Sequence, residues 1–208
     1  DVAARSYLER QGFPTNIWGD GKIKIVPTDN ASTLNLFKER KIAGAWAPEP
    51  WASRLVHEGN GKVLLDEKNI WPQKRFITTS LIVGTQFLSK YPQTAETLVR
   101  AHVAITEMIQ QPKNALQVKG FVQSELLRAT GKTLASETLD RALGNVIFSN
   151  DPLAQGLKEN IATAQTVGLL RKPSDKFRDI YDLRILNKVL AGANQQTKKY
   201  DALDFGVD

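Results

Sequence analysis

The chain has 208 residues, 41% hydrophobic and 24% charged, enough apolar material for a sizeable core and too much for wholesale disorder. It contains no cysteine, which excludes disulfides, thiolate metal sites and a cysteine nucleophile. Its formal net charge of +6 is spread thinly: Lys22, Lys24, Lys38, Arg40, Lys41, Lys62, Lys74 and Arg75 stand dispersed among acids, so no nucleic-acid partner is expected and only a general field favouring small anions remains.

The N-terminal stretch DVAARSYLERQGF has no apolar segment of the signal-peptide kind. It reads as an amphipathic helix over 1–11, with Ala3, Tyr7 and Leu8 on one face and Gly12 ending it. A chain that opens inside a helix is expected to continue upstream of Asp1. After a turn carrying Gly19 and Gly21, Ile23–Val26 is predicted as a strand ended by Pro27. Asp29 or Asn30 is expected to cap a helix over 31–40, on whose face lie Leu34, Leu36 and Phe37. Ile42–Trp46 is the next predicted strand. A helix over 50–58 follows, with Pro48 or Pro50 in its first turn and Gly59 and Gly61 closing it. Val63–Leu65 is a third strand. Strand, helix, strand, helix, strand at this spacing predicts a parallel sheet of right-handed crossover units.

Phe76–Val83 is the last β-rich run. Beyond it the periodicity turns helical over 85–90, 92–110, 112–130, 136–145, 152–168 and 182–191. Pro92, Pro112 and Pro152 open three of these segments, and Gly131 and Gly168 act as stops. Residues 192–208 read as a polar surface tail. No apolar run approaches the roughly 20 residues that span a bilayer. The expected fold class is α/β and two-lobed, with parallel-rich sheets flanked by helices. The expected division is βα units over 1–75, a hinge crossover over 76–84, and a helical part plus tail over 85–208. Those later helices need a sheet from elsewhere, so the chain is expected to be a C-terminal fragment.

The segment GAWAPEPWAS (residues 44–53) occupies a strand-to-helix handover, and open α/β sheets bind ligands beyond the carboxyl ends of their strands. Trp46 offers an apolar face and one N–H donor, while Pro48 and Pro50 stiffen the loop. Glu49 is either an acceptor for a ligand amine or hydroxyl, or a favourable acid at a helix N-terminus. Both tryptophans have a second reading as core anchors; by position, Trp46 is placed at the ligand cleft and Trp51 in packing against the sheet. Thr28 and Asp29, with Asn30, form either an anion cradle or a simple helix cap. Thr78, Thr79 and Ser80 either line the same cleft with hydroxyls or follow threonine's preference for strands. His57 and His102 stand alone, so no metal site is expected. There is no GxGxxG, phosphate loop or GxSxG. No catalytic residue and no cofactor is expected, which favours a binder over an enzyme.

GAWAPEPWASRLVHEGNGKVLLDE, followed by TTSLIVGTQFLSKYPQTAETLVRAHVAITEMIQQPKNALQ, ATGKTLASETLDRAL and FSNDPLAQGLKENIATAQTVGLL, resembles the substrate-binding proteins of nitrate/sulfonate/taurine-type ABC transporters. The likeness covers most of residues 1–191, and its most specific block is GAW-x-PEPWAS. The resemblance implies a type II periplasmic-binding fold that holds its ligand between two lobes, with 1–75 as the second lobe and the helical part as the returning half of the first. It implies a bacterial receptor, periplasmic or lipid-anchored outside the inner membrane, that passes a small anion to an ABC transporter permease. A membrane would then be met only through the permease or a missing N-terminal anchor. Trp46, Pro48 and Glu49 match the motif and carry over as ligand-binding residues. Sulfonate, taurine, nitrate and bicarbonate fit the class, and the tryptophans favour an organic sulfonate. Two other classes share the implied fold. One is the effector-sensing domain of a LysR-type regulator, which should be complete by itself; the other is a thiamine-pyrimidine-synthase-like enzyme, which calls for cysteines or an iron-binding motif.

Overall fold

The computed structural model describes residues 1–15, 21–171 and 180–192. Gly19 and the predicted tail from residue 193 onward lie outside the described residues. Two compact units emerge, one from Asp1–Asn69 with Lys113–Ile147 and one from Ile70–Pro112 with Phe148–Asp208.

The first unit holds α1 (Val2–Arg10), α2 (Asn30–Lys38), α3 (Trp51–Gly59), α6 (Ala115–Thr130) and α7 (Ser136–Asn145). Asp29 starts α2, its Oδ1 accepting the Ser32 N–H at 2.9 Å. Helix α3 packs against both α2 and α7. Contact with α2 is close because position 59 has no side chain: a Cβ on Gly59 would lie 2.9 Å from the Phe37 ring. Towards α7, buried Thr138 meets His57, with Oγ1 and Nδ1 3.0 Å apart. Helix α6 ends at Gly131, whose φ of 71° needs no Cβ penalty. The turn that follows is tied back by Gln123, whose amide donates to the Leu134 carbonyl at 2.7 Å and accepts its N–H at 3.0 Å.

The second unit holds α4 (Thr85–Lys90), α5 (Pro92–Gln110), α8 (Ala154–Thr166) and α9 (Arg184–Gly192). Its core lies between α5 and α9, where Val103, Val189 and Leu190 are buried with Val99, Ile185 and Leu186 packed around them. The spacing explains the contact: 99 and 103 on one helix and 185, 186, 189 and 190 on the other each form a single stripe. Burial of each such side chain is worth about 1.5–3 kcal/mol. At the rim Lys188 Nζ reaches Glu96 at 2.6 Å and Arg100 reaches the same carboxylate at 2.7 Å.

The predicted sheet is corrected. Ile23–Val26, Ile42–Trp46, Val63–Leu65 and Phe76–Val83 form no ladder, and no strand is present among the described residues. A helix pairs its own N–H and C=O groups, whereas a strand needs a second segment alongside. None pairs with these runs in a ladder among the described residues, and several of their side chains are exposed, Leu64 to 97% and Ile82 to 87%, while Ile23, Ile25, Ile42, Phe76 and Ile77 are half-buried. The helices stand within two or three residues of the expected bounds. Pro112 opens a 3₁₀ turn, Pro112–Asn114, ahead of α6, and Pro152 lies just before α8. Among the described residues no helix is long and apolar enough to cross a membrane.

Leu190→Ala is expected to cost about 2–5 kcal/mol in urea denaturation, and Leu64→Ala less than about 0.5 kcal/mol. The Lys188 hydrogen bond, aided by Arg100, holds the Glu96 carboxyl below its ordinary value of 4.5. Its contribution is therefore complete above pH 4.5 and lost as pH falls through the lowered value. An acid titration followed by near-UV circular dichroism should show this loss, and Glu96→Gln should shrink it.

Candidate functional site

Residues 44–53 become a capped helix entry. Pro50 is the N-cap residue of α3, the Glu49–Pro50 peptide bond is cis, and the carbonyls of Pro48 and Pro50 accept the N–H groups of Ala52 and Arg54, each at 3.0 Å. Pro50 has no side-chain acceptor, so Glu49 supplies one. Its Oε2 accepts the Ser53 N–H at 3.1 Å, satisfying a donor that the helix cannot pair internally. Its Oε1 accepts from Asn145 Nδ2 at 2.6 Å, tying the entry to the end of α7. Beyond Glu49 and Pro50 lies a cavity of about 160 Å³, otherwise lined by hydrocarbon side chains that include Val122, Leu126, Leu139 and Leu143. Ser53 is 0% exposed, and its Oγ has no hydrogen-bond partner among the described residues.

Trp46 stands just outside this entry and is 38% exposed. Its Nε1–H donates to Glu67 Oε2 at 2.6 Å, and its ring meets that of Tyr7 on α1, with centroids 6.0 Å apart and planes tilted by 52°. The indole is thus oriented by two distant segments, and its apolar surface is what remains on offer. Trp51 does lie within α3, but among the described residues there is no sheet for it to pack against. The Arg54 guanidinium sits over its ring at 4.6 Å while also pairing with Glu58.

The other candidates divide. Asp29 is the cap of α2, and the Ser32 N–H holds its carboxyl below the ordinary value. Thr28 donates its hydroxyl to the Val26 carbonyl at 3.1 Å. Thr78, Thr79 and Ser80 are exposed residues of the second unit, in an irregular segment. Trp46, Pro48, Glu49, Thr28 and Asp29 belong to the first unit. Among the described residues no cluster of histidines and carboxylates could hold a metal ion. Sequence reasoning missed Tyr7, Glu67, Asn145 and Thr138 as partners of the singled-out residues. Glu67 is 21 positions from Trp46 and Asn145 is 96 from Glu49, and no local periodicity links such pairs.

The model of the NMT1-like family matches residues 1–122, a span that includes all of GAWAPEPWAS. No curated protein and no solved structure matches the chain.

Glu49→Ala is expected to destabilise the protein by about 1–3 kcal/mol, because it removes a helix cap and an interhelical hydrogen bond together. Ser53→Ala removes only an unpaired buried hydroxyl and should be neutral or stabilising. Chemical denaturation of both variants, side by side, measures the difference.

Proposed function

The chain belongs to the NMT1-like family, and from that premise we propose that it is the solute-binding component of an ABC importer. It captures a small anion outside the inner membrane and delivers it to the permease. It performs no chemistry of its own and needs no cofactor. The ligand class is an aliphatic sulfonate or a related compound such as taurine, nitrate or bicarbonate.

The observation that carries this reading is the family match over the segment that holds the tryptophan–proline–glutamate block. The geometry of Trp46 supports an organic ligand within that class. Its N–H is committed to Glu67 while its ring remains partly open, so it recognises a hydrocarbon portion better than a charge. The net charge of +6 assists capture of an anion from solution.

Calorimetric titration with taurine, propanesulfonate, nitrate and bicarbonate tests the proposal. At least one alkyl sulfonate is expected to bind, and Trp46→Ala should weaken it at least about tenfold, equivalent to about 1.4 kcal/mol, with little change in melting temperature. Binding of none of the four, or unchanged binding in a Trp46→Ala protein that melts far lower, sinks it.

A further inference from the structure

We propose that the first unit carries a separate binding site, where α2 and α3 end beside each other, for a small organic acid with a flat apolar body. A cavity of about 560 Å³ opens there, with Phe37, Ile42 and Ala43 among its apolar lining and Lys38, Arg40 and Glu58 among its charged lining. That volume is of the size that small-molecule sites take.

The charge balance decides the sign of the ligand. Glu58 is already answered by Arg54 through two contacts of 2.6 and 3.0 Å, and Lys38 adds its field to the same carboxylate. Among the described residues the Arg40 guanidinium makes no hydrogen bond or ion pair. Three cations thus stand around one carboxylate. The two helix C-termini contribute about half a negative charge each, which leaves the rim positive.

Arg40 also sits where arginine is not the natural choice. It closes α2 with φ at 59°, its N–H bonded to the Phe37 carbonyl and that of Lys41 to Leu36. This is a left-handed position usually held by glycine or asparagine, and a residue carrying a Cβ is strained there. Helix closure would be served better by glycine; what arginine adds is a guanidinium on a residue that lines the cavity. A guanidinium recognises a carboxylate or sulfonate through paired hydrogen bonds, and Phe37 and Ile42 supply the surface for an apolar ring. The site uses neither Trp46 nor Glu49 and stands apart from the receptor reading.

Amide and arginine side-chain NMR of the protein, titrated with benzenesulfonate, benzoate, inorganic sulfate and benzylamine, tests the site. Benzenesulfonate and benzoate should give saturable shifts at Gly59, Gly61 and Arg40. Sulfate should bind at least about tenfold more weakly, and benzylamine should leave these signals unmoved. Arg40→Gly should raise the melting temperature while weakening benzenesulfonate at least about tenfold. Lys38→Gln, which leaves the helix closure untouched, should weaken it severalfold. The proposal is overturned if both variants bind like the parent, if sulfate or benzylamine matches benzenesulfonate, or if the shifts gather at Trp46 and Tyr7 instead.

Discussion

Every peptide group taken out of water has to be paired, and the described structure follows from how each segment meets that demand. A helix meets it internally, so it needs only a stripe of apolar side chains to cover. Helices α5 and α9 cover each other in this way through Val103, Val189 and Leu190, and α3 does so against α2 and α7. An extended run has its partners on another segment. Where none is alongside, its backbone stays in water and carries its side chains with it, as Val26, Leu64 and Ile82 do. The exposed apolar runs and the well-packed helices are therefore two outcomes of one rule.

The same rule governs the ends of the helices, and through them the chemistry of the candidate site. A proline at the N-cap of α3 brings no side-chain acceptor, so the carboxylate one residue earlier takes the role. Once Glu49 holds the Ser53 N–H and the Asn145 amide, each oxygen has one lone pair left. A further donor at Glu49 would have to use one of those two remaining directions or displace Asn145, which would restrict its approach. Trp46 is constrained in the complementary way: its only donor points at Glu67, so it can select for shape and apolar area but not for a hydrogen-bond acceptor.

Helices were legible in the sequence because their signals are local. Asp29 as cap, Gly131 as left-handed stop and Pro92 at the start of α5 each act within four residues of where they stand. The parallel sheet was inferred from equally local signals, but its existence depends on partners far along the chain, and the described residues supply none. The match to the NMT1-like family agrees with the resemblance read from the tryptophan–proline–glutamate block, while the sheets expected of that fold have no counterpart among the described residues. The site shows the same divide. That Glu49 would favour a helix N-terminus could be read from its position; that its second oxygen would take Asn145 could not, because the two are 96 residues apart. Left-handed Arg40 was hidden too, since arginine carries no turn signal.

Charge separates in a comparable way into a part that steers and a part that selects. The formal +6 of the chain attracts anions generally and falls off over about one Debye length, near 8 Å at physiological salt. Several of its cations are spent on neighbours within a helix: Arg54 on Glu58, Arg100 on Glu96 and Arg128 on Glu125. Exposed pairs of that kind contribute little stability, but they remove those cations from recognition. Discrimination between anions then rests on geometry, on whether a cation without a carboxylate partner stands beside apolar surface. Water competes for a bare charge everywhere on the protein, and it competes least where a hydrocarbon wall has already displaced it. An anion with an apolar body gains on both counts, whereas nitrate or bicarbonate gains only on the first, so apolar walls of this kind favour organic acids over small inorganic ones.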